Sequence, residues 1–228
     1  MHRRCHVYRL RAMRAILRVL GYRAGTSIFG EGRCTMSAKT VLLCGVGGQG
    51  TILAADLLAR AALAAGFEVK VSEIHGMAQR GGAVTTVVRY GDKVNTMVAD
   101  VGESDIVVSF ETTEALRNIA FLKQGGYLLV ADETIKPLPV ACGFASMPAD
   151  AHRKLEDAGA VLIPAHDLAV EAGNAKCENV AILGALESQL GFGLELWSKV
   201  IEGRVPPKTI ESNVKAFELG FAFANERA

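Results

Sequence analysis

The chain has 228 residues, half of them hydrophobic and 21% charged, with a formal net charge of +1. That length supports one full hydrophobic core, alone or with a small appendage, and the near-neutral balance removes any composition argument for nucleic-acid binding, which needs a basic surface to neutralise phosphate. No apolar run reaches the roughly 18 residues that a membrane span requires.

Residues 1–36 differ in character from the rest. They hold eight Arg, no Lys and one acid, Glu31, a net +7 that leaves the remainder near −6. Three readings fit: an Arg-rich, acid-poor transit peptide, a disordered basic arm, or an extension upstream of a start at Met36. The last is preferred, because Met36-Ser-Ala-Lys leads straight into a strand pattern and no apolar stretch follows Arg3-Arg4 to make a secretion signal. Residues 37–228 then form the folded domain.

From Thr40 the chain alternates short apolar runs with helical periodicity. This is the pattern of an α/β Rossmann-like fold, a mostly parallel sheet with helices on both faces. In chain order the spacing predicts strands at 40–44, 67–72, 83–90, 105–110, 127–131 and 160–163. Helices are predicted at 50–65, 112–122, 149–158, 178–190 and 208–224, with a shorter one near 194–202. The C-terminal helices would pack on the domain or on a partner. Gly91-Asp92, between the runs 83–90 and 93–98, reads as a hairpin turn that introduces one antiparallel pair. Residues 132–148, with Pro137, Pro139 and Pro148, read as loop or edge strand. The cysteines, Cys5, Cys34, Cys44, Cys142 and Cys177, include no C-x-x-C pair, so neither a disulfide framework nor an iron–sulfur ligand set is expected, and a reducing cytoplasm suits them. Cys44, inside an apolar strand, reads as a small buried hydrophobe.

Gly45-Val46-Gly47-Gly48-Gln49-Gly50 follows the first strand and precedes the first helix, the context in which G-x-G-x-x-G carries most meaning. The first glycine permits a tight turn, the second a close approach of ligand or backbone, and the third close packing of the helix on the sheet. A helix starting there offers free N–H groups to an anion. Gly45, Gly47, Gly48, Gln49 and Gly50 are therefore the candidate cofactor-binding residues, and Glu73 is the acid expected ~20 residues on for a ribose hydroxyl. The competing reading is a Rossmann-like turn that uses glycine for packing and holds no dinucleotide. Glu73 also opens a second Gly-rich segment, which argues for another use of that edge.

That segment, Ser72-Glu73-Ile74-His75-Gly76-Met77-Ala78-Gln79-Arg80-Gly81-Gly82, joins two strands with four different polar side chains and three glycines. A loop pressed against a partner or ligand needs such a combination more than a mere connection does. His75 is either a proton donor or a hydrogen-bonding surface residue. Arg80 offers a planar fork to a carboxylate or phosphate, or to a salt bridge across a subunit interface. Met77 suits an apolar interface. Elsewhere, Asp132-Glu133 is either a ligand contact at a strand end or a solvated pair, Asp167 of His166-Asp167 caps a short helix, and Trp197 anchors the last helices to the sheet.

The two motifs together, Gly45-Val-Gly-Gly-Gln-Gly50 and His75-Gly-Met-Ala-Gln-Arg-Gly-Gly82, resemble the β subunits of indolepyruvate ferredoxin oxidoreductases. Phe110-Glu-Thr-Thr-Glu-Ala-Leu116, Leu122-Lys-Gln-Gly-Gly126 and Asn179-Val-Ala-Ile-Leu-Gly-Ala185 agree with them, and the resemblance spans about residues 39–225. The same domain serves as the γ subunit or γ domain of pyruvate, ketoisovalerate and 2-oxoglutarate ferredoxin oxidoreductases. There the second loop typically carries a Glu before Arg-Gly-Gly, so the arylpyruvate branch is the nearer match. The resemblance implies an enzyme subunit that is inactive alone and assists coenzyme A-dependent oxidative decarboxylation of an arylpyruvate with ferredoxin as acceptor. It implies a large α subunit that holds thiamine diphosphate and iron–sulfur clusters, no cofactor or metal in this chain, and no nucleic-acid or membrane partner. His75, Gln79 and Arg80 would lie near the partner's active site. Two other readings of the residues remain: an independent nucleotide-dependent oxidoreductase using Gly45–Gly50, and a self-associating structural or ligand-binding domain.

Overall fold

Strands covered on both faces must be apolar at consecutive positions, and the runs Val41–Cys44, Ile106–Val108 and Leu128–Ala131 are buried at every residue. The computed structural model describes residues 37–75 and 82–227. The basic segment 1–36, and the expectations placed on it, lie outside them. The elements follow as β1 (Lys39–Val46), α1 (Thr51–Ala64), β2 (Glu68–His75), β3 (Ala83–Gly91), β4 (Ser104–Ser109), α2 (Thr112–Asn118) and β5 (Leu122–Ala131). After them come α3 (Leu138–Ala141), α4 (Ala151–Asp157), β6 (Val161–Ile163), α5 (Ala165–Glu171), α6 (Glu178–Leu190), α7 (Leu194–Glu202) and α8 (Ile210–Asn225).

The strands form one sheet in the order β2-β3-β1-β4-β5-β6. β1, β4, β5 and β6 pair in parallel, whereas β3 is antiparallel to both β1 and β2. The mostly parallel Rossmann-like architecture is as expected, but the reversed strand is placed differently. No strand follows Gly91-Asp92: β3 already has a partner on each side, and of residues 93–98 only Val94 is buried. The antiparallel pairs are instead those of β3 with β2 and with β1, and the second Gly-rich segment lies between β2 and β3 in the chain.

Helices cover both faces. α1, α6, α7 and α8 share one core with Leu43, Val88 and Leu129, through Leu57, Leu58, Ile182, Leu183, Trp197 and Phe217. α2 and α4 contribute Ala115 and Leu155 to the other, with Leu42, Cys44 and Val107. α6 and α8 meet backbone to backbone: a Cβ on Gly184 would lie 1.9 Å from the Phe217 carbonyl oxygen, and one on Gly220 1.9 Å from that of Ala181. Trp197 is fully buried, within aromatic contact of Phe192 and Phe217, and is the anchor expected of it.

Two further boundaries move. The helix expected over 112–122 stops at Asn118, and after a 3-10 turn β5 begins at Leu122. The strand expected over 127–131 begins earlier and passes through Gly125-Gly126, with the pairing to β4 shifting register between Ser104 and Ile106. Among the described residues no helix is long and apolar enough to cross a membrane.

Candidate functional site

The chain leaves β1 towards α1 on one side of the sheet and leaves β4 towards α2 on the other, so the carboxyl ends of β1 and β4 flank a topological switch point, where open α/β sheets form their crevice. Residues 45–50 occupy it. The loop and the strand end before it are tied to their surroundings at four places. The Phe110 N–H donates to Cys44 O at 2.8 Å and the Gly47 N–H to Gly82 O at 2.8 Å. Gln49 accepts from the Val46 N–H at 2.8 Å through Oε1 and donates through Nε2 to Phe110 O at 2.7 Å. Asn179 Nδ2 donates to Gly50 O at 3.2 Å.

These contacts divide the candidate cofactor residues by task. A Cβ on Gly45 would lie 2.9 Å from Phe110 Cβ, and Gly50 has φ +77°, which favours glycine, with Asn179 Nδ2 2.6 Å from where its Cβ would stand. Gln49 spends one end of its amide on the loop's own Val46 N–H and the other on the Phe110 carbonyl after β4. Gly48, at φ +112°, faces open space. Gly50 caps α1 without a side-chain bond, and no acid stands in the first turn. The N–H groups there remain able to receive an anion. Glu73 is less well placed for a nucleotide, because β3 intervenes between β2 and β1 and moves the acid one strand spacing, about 4.8 Å, outward.

The second motif reaches the same rim. His75 pairs with Val84, which pairs with Gly45, so the ends of β2 and β1 and the start of β3 lie side by side. With the Gly47–Gly82 bond, the two motifs are stitched together. Met77, Gln79 and Arg80 lie outside the described residues, and His75 is placed by its backbone alone.

Further along the rim stand groups that the sequence did not single out together. Glu111 is buried and caps α2, accepting from the N–H groups of Thr113 and Glu114. Glu114 is buried beside it, and burial pushes its carboxyl up, with Arg117 opposing. The Thr112 N–H donates to Glu133 O at 2.9 Å. Partial burial raises the Glu133 carboxyl, and the charge of Glu178 adds to this. His166 Nδ1 lies 2.6 Å from Glu178 Oε1, and that hydrogen bond raises the imidazole's affinity for its proton. Asp132 pairs with the exposed His152 at 2.6 Å. Asp167 stands in the first turn of α5 but does not cap it: the N-cap is Pro164, with no side-chain bond. The His166–Glu178 pair has no local sequence signature. Its partners sit on different helices, and only the return of α6 to the rim, marked by Asn179 on Gly50, brings them together. Among the described residues no three His, Cys, Asp or Glu side chains are arranged to hold a metal ion. Burial pushes the Cys44 thiol up to about 12, leaving it unreactive and packed as expected.

The family model described as pyruvate ferredoxin/flavodoxin oxidoreductase matches residues 40–223. Indolepyruvate oxidoreductase subunit IorB of Thermococcus kodakarensis is 44% identical over 198 residues, 84% of this chain and 98% of that protein. IorB of Pyrococcus horikoshii is 43% identical with the same coverage. The γ subunit of keto/oxoacid ferredoxin oxidoreductase from Geobacter sulfurreducens superposes with a TM-score of 0.62 at 26% identity, covering 82% of this chain and 99% of that one. Pyruvate oxidoreductase subunit PORC from Thermotoga maritima gives 0.61 at 26% identity, over 82% and 97%. Both Gly-rich motifs fall inside the family match.

Proposed function

Because this chain belongs to the pyruvate ferredoxin/flavodoxin oxidoreductase family, we propose that it is the β subunit of an indolepyruvate oxidoreductase. The reaction joins an arylpyruvate to coenzyme A with loss of carbon dioxide, and the electrons released pass to ferredoxin. Thiamine diphosphate, bound by the large α subunit, supplies the carbanion chemistry, and iron–sulfur clusters of that subunit carry the electrons. This chain supplies surface and positioning, holds no cofactor of its own, and is inactive alone. The complex works in the cytoplasm.

The observation that carries the reading is its branch: identity to the two IorB proteins stands well above identity to the solved γ subunits. The stitching of residues 45–50 to Gly82 supports a role for the second loop, since it fixes the base from which His75, Gln79 and Arg80 approach the α subunit near its active site. Truncating a buried, hydrogen-bonded interface charge costs about 2–5 kcal/mol, so Arg80→Ala should weaken binding to the α subunit by at least about 30-fold. Arg80→Lys should restore little, because an ammonium lacks the planar fork. His75→Ala should lower turnover more than affinity. Titration calorimetry and coupled assays with indolepyruvate, pyruvate and 2-oxoglutarate test both halves. Unchanged affinity and turnover in all three variants would remove the loop from the interface, and a complex that turns over pyruvate or 2-oxoglutarate but no arylpyruvate would overturn the substrate assignment.

A further inference from the structure

The two edges of the sheet are built differently. β6 has three residues, runs directly into Pro164, and lies in an open groove lined also by Glu156 and Arg227. A short strand with proline at its end is a protected edge. β2 forms the opposite edge. It has eight residues, pairs with β3 in one unbroken register, and contains neither proline nor glycine. A strand of that length spans roughly 27 Å and turns a row of N–H and C=O groups outward, and among the described residues no strand pairs with them. Apolar side chains stand exposed on both faces of this edge: Val71, 39% exposed, on the face shared with Val88 and α1, and Ile74, 67% exposed, on the other. An edge that is long and regular and leaves Val71 and Ile74 exposed invites pairing, and its charges, Lys70 and Glu73, then select the partner.

We infer that the outer edge of β2 is completed by an extended strand of the large subunit, a partner supplied by the proposed function, on which this inference rests. The incoming strand is apolar where it meets Val71 and Ile74, acidic opposite Lys70 and basic opposite Glu73. Backbone pairing provides the attachment and these side chains fix the register.

A second copy of this chain fits poorly. Two identical strands related by a two-fold axis pair antiparallel with their faces preserved, so each residue meets one of the same parity. Registers centred on Lys70 or Glu73 set like charges directly opposite one another. Those centred on Val71 or Ser72 set Glu73 against Val69 or Val71, and registers centred further out pair only the ends of the strand. Charge therefore favours a different polypeptide.

Hydrogen–deuterium exchange of the assembled complex tests the inference, with slowed exchange expected over residues 69–74 relative to the free chain. Val71→Pro and Ser72→Pro sharpen it. Neighbouring N–H groups point to opposite edges, so one of the two prolines spares the bonds to β3 and is tolerated at an edge. That variant should keep the wild-type melting temperature yet bind the large subunit at least about tenfold more weakly. The combined reversal Lys70→Glu with Glu73→Lys should weaken binding by about two- to fivefold without affecting the fold, and it carries the test if both prolines unfold the chain. An active complex with unchanged exchange over 69–74 overturns this inference and leaves the proposed function standing. A large subunit that does not bind at all overturns both. A homodimer in ultracentrifugation that the tolerated proline dissociates overturns the choice of partner.

Discussion

Glu187 lies in α6 with its carboxylate buried, and both oxygens are engaged: Oε1 accepts from the Gly193 N–H and Oε2 from the Trp197 indole N–H, each at 2.6 Å. Burial nevertheless outweighs these donors and pushes the carboxyl above its ordinary 4.5. The folded state then holds the proton more tightly than the unfolded chain. The group's contribution to stability is largest below the ordinary value and is lost as pH rises through the raised one. Glu187→Gln removes the titration, so the stability of the natural chain relative to the variant should decline in urea unfolding as pH rises above the ordinary carboxylate range. A difference that grows with pH would mean that the two donors win over burial. At this scale the sequence was partly legible. Gly45 and Gly50 could be read because backbone demands leave glycine as their trace, whereas His166 with Glu178, or Glu187 with Trp197, are pairings across turns and helices that leave none.

At the scale of elements, the contact of α6 with α8 depends on Gly184 and Gly220, each occupying space that a methyl group would have to share with a carbonyl oxygen of the facing helix. Backbone atoms in two packed helices cannot step aside as a flexible side chain can. Gly184→Ala and Gly220→Ala should therefore each destabilise the domain by at least about 1–3 kcal/mol, despite the better helix propensity of Ala. A lowered urea midpoint with an unchanged slope would bear this out, and a midpoint equal to that of the natural chain would show that the helices can separate at no cost. Element types were legible where apolar runs were long, as in β1, β4, α6 and α7. The position of β3 was not, because its alternation suits any antiparallel partner and nothing local says that β1 and β2 both claim it. The run 93–98 misled because a turn signal precedes it, yet β3 is already paired with β1 and β2 and only Val94 of the run is buried.

For the whole molecule, the sheet order brings residues 45–50 and Gly82 to one rim, and at its edge lies β2, with which no described strand other than β3 pairs. A subunit that acts by presenting this rim to a cofactor-bearing partner should be colourless when purified and without decarboxylase activity, and should gain activity only in the complex. The two motifs could be read from sequence, but their convergence could not, since it depends on the Gly47–Gly82 bond formed after β2, β3 and β1 have aligned. The most direct measurement is reconstitution: the separately purified chain is titrated into the proposed large subunit while coenzyme A-dependent reduction of a dye by indolepyruvate is followed. The account predicts no activity from this chain alone and a rate that rises and saturates as the complex forms. A rate independent of added chain, or turnover by this chain by itself, would contradict it.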